Sequence, residues 1–354
     1  MKQTDDIRIQ SQSPLIPPRE LKERIPSDEA RGATVVSGRS EIEAVLSGHD
    51  DRLLMIVGPC SIHDPDAART YAERLLRLRE ALAEQLLIVM RVYFEKPRTR
   101  LGWRGLVLDP HLDGSYDIST GLTVGRMLLA DLSDMGMPVG SEVLDPIVPQ
   151  YMSDLTSWAS IGARTTESQT HRDMASGLSM PVGYKNGTDG SVSTAVNAMA
   201  SSMHPHSFIG IDQEGRTCVL NTKGNTSGHL ILRGGRNGPN YDRDSVAAAC
   251  RALEDAGLPR QVIIDCSHGN SQKDPSRQPG VLENVISQRA EGQRAIRGAM
   301  IESNLFAGRQ EVKAKAELSY GVSITDACIG WEETEKVLKE TAEAQAANTA
   351  ASRV

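Results

Sequence analysis

Aromatic side chains are scarce, with Phe, Trp and Tyr making up 4% of the 354 residues, and Lys and Arg nowhere gather into a block. Nucleic-acid binders need basic grooves interleaved with stacking platforms, so this composition argues against that class. The 39 Lys+Arg are outnumbered by 46 Asp+Glu, giving a net charge of −7, and no polyanionic partner is implied. Long apolar runs are missing as well. Nothing approaches the roughly 18 consecutive apolar residues of a spanning helix, and the opening MKQTDDIRIQSQSPLIPP has no apolar core before a cleavage site. A soluble, uncleaved, cytoplasmic protein without a membrane partner is the expectation. The cysteines (Cys60, Cys218, Cys250, Cys266, Cys328) are odd in number and scattered without a CxxC pair, which encodes neither a disulfide framework nor a structural zinc finger. Reduced thiols are expected. There is no GxxxxGK[ST] loop and no GxGxxG after a strand. The glycine-rich stretches GWRG (102–105), KNGTDG (185–190) and RGG (233–235) therefore read as neither a nucleotide cradle nor a dinucleotide site.

What the chain does have is rhythm. The first forty residues, with Pro14, Pro17, Pro18 and Pro26 and only weak helical spacing from Glu20 to Arg24, read as an arm outside the core. From Leu53 onward, short apolar runs alternate with amphipathic stretches, the pattern of repeated β-α units around a parallel sheet. Eight such runs occur, at 53–57, 86–90, 137–140, 158–162, 180–183, 229–232, 262–265 and 296–301. Helical spacing fills 64–84, 120–136, 191–203, 245–257 and 281–292, and a closing helix runs from about Trp331 to Ala347. Eight units predict an α/β fold closed as a (β/α)8 TIM barrel, a size that one domain of this length accommodates. The strings SFIGID and TCVLNT, joined by QEGR, predict a hairpin over about 207–222 inserted in the fifth crossover. The expected organisation is an N-terminal extension at 1–45 that makes regulatory and oligomer contacts, followed by a catalytic barrel at 46–354.

Barrel enzymes carry their chemistry at the C-terminal ends of the strands. The residues that follow the runs are Cys60, Arg91, Glu142, Arg164, Lys185, Arg233, His268 and Glu302. Any one of them reads equally well as a solvated strand end, but eight together do not. Arg91, Lys96, Arg98, Arg164, Lys185 and Arg233 would converge on one mouth in an otherwise acidic protein. Several cations there imply a ligand with more than one negative charge, such as a small phosphorylated acid. Cys60, His268, Glu302 and Asp326 follow strands one, seven and eight, neighbours once the barrel closes, and offer a thiolate, an imidazole and two carboxylates to a metal. Cys266 lies two residues from His268 but inside an apolar strand, so Cys60 is the preferred sulfur ligand. This mixed set selects no single metal, since thiolate and imidazole suit Zn, Fe or Co and carboxylates suit Mn or Mg. His63, His171 and His229 are further acid-base candidates, each more simply read as structural.

The strings GPCSIHDP (58–65), MRVYFEKPRT (90–99), IGARTTESQTHR (161–172), PVGYKNGTDG (181–190), HLILRGG (229–235), DCSHGNSQK (265–273) and YGVSITDACIGWE (320–332) resemble the class I 3-deoxy-D-arabino-heptulosonate-7-phosphate (DAHP) synthases. The resemblance runs from the arm to the last helix. It implies a (β/α)8 barrel with an N-terminal extension and an inserted hairpin, and the transferase activity of a 3-deoxy-7-phosphoheptulonate synthase. That reaction, the first step of the shikimate pathway to the aromatic amino acids, condenses phosphoenolpyruvate, erythrose 4-phosphate and water to DAHP and phosphate. By motif, Arg91, Lys96, Arg164, Lys185 and Arg233 would hold phosphoenolpyruvate, and Lys96, Pro97, Arg98 and Thr99 would receive the aldose phosphate. Cys60, His268, Glu302 and Asp326 would bind one divalent ion (Mn, Fe, Co or Zn), and Glu142 with Lys185 would position the water. Lys96, Glu142, Lys185, Cys60 and His268 form the implied catalytic group.

The resemblance also implies feedback inhibition by an aromatic amino acid in a homodimer or homotetramer. Gln150, Ser179, Phe208, Gly210 and Leu220 would line the pocket, with Asp6 and Ile9 donated by a neighbouring subunit. Gly210 resembles the tyrosine-sensitive form, where phenylalanine-sensitive forms tend to carry serine. One departure is an extra residue in RGGRNGPNY (233–241), expected to reshape the loop after Arg233. The nearest rival is a synthase using another aldose phosphate, such as 3-deoxy-octulosonate 8-phosphate synthase, against which the EKPRT loop argues. A non-catalytic amino-acid sensor would be expected to lose a metal ligand or a phosphate arginine, and none is lost.

Overall fold

The structure, a computed structural model, describes residues 4–351. Eight parallel strands close a barrel in the order β1-β10-β9-β8-β5-β4-β3-β2. They are β1 (Leu53–Gly58), β2 (Leu86–Arg91), β3 (Val139–Glu142), β4 (Trp158–Ile161), β5 (Val182–Lys185), β8 (Gly228–Leu232), β9 (Val262–Asp265) and β10 (Ile296–Glu302). All eight apolar runs of the sequence are barrel strands. Their residues are apolar on both faces because one face meets the outer helices and the other fills the barrel. In β1, Leu53, Met55 and Val57 pack toward the helices while Leu54 and Ile56 join Leu87, Val89, Trp158, Ile231, Ile263 and Met300 inside.

The surrounding helices are α3 (Pro65–Ala81), α4 (Ile118–Asp134), α5 (Pro149–Met152), α6 (Gln169–Ala175), α7 (Ser193–Ser202), α8 (Arg243–Asp255), α9 (Gln278–Ala290) and α10 (Trp331–Ala351). Several start where an aspartate can accept the free N–H groups of the first turn. Asp64 accepts from Asp66 and Ala67 with Pro65 at the first position, Asp117 from Thr120 and Asp242 from Ser245. The expected hairpin forms as β6 (Ser207–Ile211) and β7 (Thr217–Asn221), paired Phe208 to Leu220 and Gly210 to Cys218.

The N-terminal segment departs from the expectation of an arm outside the core. After α1 (Pro18–Arg24), a helix α2 (Glu29–Ser47) starts at Asp28, whose side chain accepts from the Arg31 N–H, and stops at the left-handed Gly48. Its Ile42, Val45 and Leu46 are fully buried against the barrel-filling side chains and close the N-terminal end of the barrel. The boundary at 45/46 therefore falls inside a helix. The polar Thr34, Ser37, Arg39 and Ser40 between the buried positions hid this periodicity, and Arg39 is used structurally, donating to the carbonyls of Ser153 and Thr156. Buried Arg126 of α4 adds a second tie, gripping Asp154 through two 2.8 Å bonds and the carbonyls of Ile25 and Tyr151.

Candidate active site

The C-terminal ends of the strands open onto a cleft of about 410 Å³. Lys96, Pro97, Arg98, Thr99, Glu142, Arg164, Lys185, Arg233, His268 and Asp326 line it, together with Lys273 and Thr188, which sequence reasoning passed over. Five of the six expected cations thus share one mouth. Arg91 is the exception: it lies beneath the cleft and is fully buried. Its guanidinium donates to Glu302 Oε1 at 2.9 Å and to the carbonyls of Pro59 and Cys60, and it lies 3.5 Å from the centre of the Tyr93 ring. These neighbours hold its charge despite burial, raising its pKa.

Beside Arg91 sit the expected metal ligands. One ligand atom each from Cys60, Glu302 and Asp326 lies within 4.8 Å of the others. His268 Nε2 is 3.8 Å from Glu302 Oε1. Cys60 and Glu302 are buried while Asp326 reaches the solvent side of the cleft. Burial and the adjacent Glu302 push the Cys60 thiol up, so a thiolate there calls for a cation, and the donor set fits a divalent metal. Cys266 is enclosed within the barrel wall, and burial pushes its thiol up as it does that of Cys60; it is Cys60 whose sulfur lies with Glu302 and Asp326.

The remaining chemistry is layered by depth. Lys185 and Glu142 are buried at the bottom, 3.9 Å apart, and Glu142 Oε1 has no hydrogen-bond partner among the described residues. Lys96 keeps its charge: burial disfavours it, but Cys60, Glu302 and Glu142 raise its pKa. At the exposed rim, Arg164 Nε donates to Thr99 Oγ1 at 3.2 Å, joining the EKPRT segment to the loop after β4. Burial lowers the pKa of Arg233. Asp265, fully buried at the end of β9, stands 3.4 Å from Lys185 Nζ and 2.9 Å from His268 Nδ1. Burial opposes its ionisation, yet His268 and Lys185 hold its carboxyl well below the usual range. The sequence offered it as the last letter of an apolar run and the first of DCSHGNSQK, without a role. Glu95 was also missed; it is buried, accepts from the N–H groups of Leu144 and Asp145, and is pushed up to about 8 by burial and by Asp145.

The glycine-rich stretches have a packing purpose. A Cβ on Gly234 would meet the backbone of Gly269 and Asn270 at 2.5–2.6 Å, and one on Gly235 would meet Gly190 N at 2.2 Å. The loops after β5, β8 and β9 thus touch backbone to backbone, which fixes Lys185, Arg233 and His268 relative to one another. The departure in RGGRNGPNY forms a turn between Gly235 and Gly238, while the Arg233 N–H stays bonded to Asn186 Oδ1 at 2.8 Å. Of the other histidines, His171 bonds Ser168 and the Leu144 carbonyl, and His229 accepts from Trp158 Nε1 inside the barrel; neither lines the cleft.

A second cavity, also about 410 Å³, lies between α5, α6 and the hairpin and is lined by Gln150, Ser179, Phe208 and Leu220. Gly210 is not at its surface. A Cβ there would stand 2.5 Å from Leu220 Cδ1, so the glycine lets Leu220 lie back over it. Asp6 and Ile9 are exposed on their own chain, while the arm holds the hairpin through Arg19, which bonds the Gln213 carbonyl and Glu214.

The sequence pattern of the DAHP synthetase I family matches residues 27–339. The Tyr-sensitive phospho-2-dehydro-3-deoxyheptonate aldolase of Salmonella typhimurium is 52% identical over 337 residues, covering 95% of this chain and 94% of its own. The Phe-sensitive enzyme of Escherichia coli K12 is 52% identical over 342 residues, 97% of each chain. A solved structure of phospho-2-dehydro-3-deoxyheptonate aldolase from Francisella tularensis superposes with a TM-score of 0.94 at 48% identity, covering 96% of this chain and 99% of that one.

Proposed function

The chain belongs to the DAHP synthetase I family, and from that premise we propose how its barrel mouth joins phosphoenolpyruvate to erythrose 4-phosphate as a DAHP synthase. One observation carries the reading: a single cleft holds seven cations beside a thiol, an imidazole and two carboxylates. Lys96, Arg164, Lys185 and Arg233 bind the carboxylate and phosphate of phosphoenolpyruvate, with Arg91 supporting them from below. Pro97, Arg98 and Thr99 receive the aldose phosphate with Lys96. Cys60, His268, Glu302 and Asp326 would hold a divalent cation, which would supply Lewis-acid polarisation of the aldehyde. The enol carbon of phosphoenolpyruvate forms the new bond to the aldehyde carbon, whose oxygen takes up a proton. Glu142 and Lys185 position water to add at the neighbouring carbon as positive charge develops there. Phosphate then leaves by C–O cleavage.

The second cavity takes an aromatic amino acid, and tyrosine is the proposed effector. A serine at position 210 would force Leu220, which lines the cavity, to shift, whereas Gly210 lets it stay in place. Asp6 and Ile9 reach the cavity from a neighbouring subunit of a homodimer or homotetramer.

Phosphate release from metal-stripped protein given both substrates tests these assignments. Release restored by Mn²⁺ and suppressed by tyrosine is expected. Stronger suppression by phenylalanine overturns the effector, and no release with any metal overturns the substrate pair. Cys60→Ala should abolish metal-dependent turnover, and substantial activity of that variant at saturating metal would remove Cys60 from the ligand set.

A further inference from the structure

A fully buried aspartate is costly to hold in a barrel wall unless its charge is used. Asp265 is built to aim one oxygen. Its Oδ1 accepts from the Ser267 N–H at 3.0 Å and from Ser267 Oγ at 2.5 Å, and Asn270 Nδ2 bonds its main-chain carbonyl at 2.9 Å. These bonds fix the plane of the carboxylate and leave Oδ2 facing Lys185 Nζ at 3.4 Å and His268 Nδ1 at 2.9 Å. Among the described residues none makes a hydrogen bond to Oδ2, so both approaches are electrostatic, and His268 Nδ1 also meets Ser267 Oγ at 2.7 Å.

From this placement we infer that Asp265 is a positioning residue that serves the anion site and the metal site with one carboxylate. On the imidazole side, the Asp265 carboxylate and the Ser267 hydroxyl that it orients both face Nδ1 and favour the proton there, which leaves the Nε2 lone pair directed at Glu302 and the other ligands, the tautomer a metal requires. On the other side, Asp265 and Glu142 hold the Lys185 ammonium between them, so that it meets the phosphoenolpyruvate anion from one fixed position. A change at Asp265 should therefore weaken two ligands whose sites it does not itself line.

This inference rests on the functional reading above, and its test separates the two. Mn²⁺ binding to metal-stripped protein, and phosphoenolpyruvate binding to the same protein without metal, are measured by calorimetry for the unchanged chain and for Asp265→Asn. The variant should bind Mn²⁺ about 10–100-fold more weakly and phosphoenolpyruvate several-fold more weakly. Ser267→Ala, which keeps the carboxylate but removes its Oδ1 partner and the hydroxyl beside His268 Nδ1, should shift both constants the same way by less, and its weakened phosphoenolpyruvate binding carries the test if Asp265→Asn does not fold. A lowered melting temperature with both constants unaltered would mean a purely structural carboxylate and would overturn the inference alone. Failure of the unchanged protein to bind either probe overturns the functional reading and the inference together.

Discussion

Glu142 needs the space that Gly162 leaves. A Cβ at position 162 would stand 2.6 Å from Glu142 Oε1, and the carboxylate, not the backbone, would have to yield. Gly162→Ala should therefore lower kcat for phosphate release by about tenfold or more, since misplacing a catalytic group by an ångström costs on the order of 100-fold, while the melting temperature changes little. An equal loss of stability and activity would show that the alanine disturbs the strand instead. His229 is a second case in which one residue sets a measurable property. Burial lowers its pKa from 6.5 to about 4, and it stays neutral while accepting from Trp158 Nε1. The unfolded chain takes up a proton on this imidazole below pH 6.5 and the folded chain does not, so stability is undiminished above that pH. It declines as the pH falls toward 4, by about 3 kcal/mol at pH 4. His229→Gln should flatten the fall of the unfolding midpoint between pH 7 and pH 5; an unchanged slope would assign the acid sensitivity to other groups.

Among the elements, α2 shows how a weakly patterned helix earns its place by tertiary contact. Its buried positions are apolar, but the residues between them are polar enough that the helix is hard to see in the sequence. Ile42 is fully enclosed against the side chains that fill the barrel, so Ile42→Ala should cost about 2–5 kcal/mol, read as a lowered urea midpoint at unchanged slope. A loss below about 1 kcal/mol would show that the helix only rests on the barrel end. The hairpin is the opposite case. The alternation SFIGID…TCVLNT revealed it directly, with Phe208 and Leu220 facing inward and Ile209 and Val219 left exposed.

At the scale of the whole molecule, a closed barrel brings residues from opposite ends of the chain to one cleft, and ligands that bind there must stabilise the entire fold. Mn²⁺ and phosphoenolpyruvate, each at a hundred times its Kd, should each add about 2.7 kcal/mol and raise the melting temperature. No shift with either would argue for a cleft that does not bind them. Among the described residues no helix is long and apolar enough to cross a membrane, which agrees with the short apolar runs of the sequence.

The strand count, the inserted hairpin and the convergence of cations were legible in the sequence because each is local. An apolar run declares a strand, and the residue after it declares the strand's end. The proposed metal ligands could be assembled because closure makes the first, seventh and eighth strands neighbours, and their motifs matched a known pattern. Three features were decided only by tertiary structure. The α2 helix depends on a barrel end that it must cover, and Arg91 is driven below the cleft by Glu302 and Tyr93. Asp265 owes its place to Lys185, on another strand, and to His268, three residues further on in the turn after β9. A carboxylate at the end of an apolar run carries no sign of the ammonium that will face it, because the contact with Lys185 exists only once the barrel has closed.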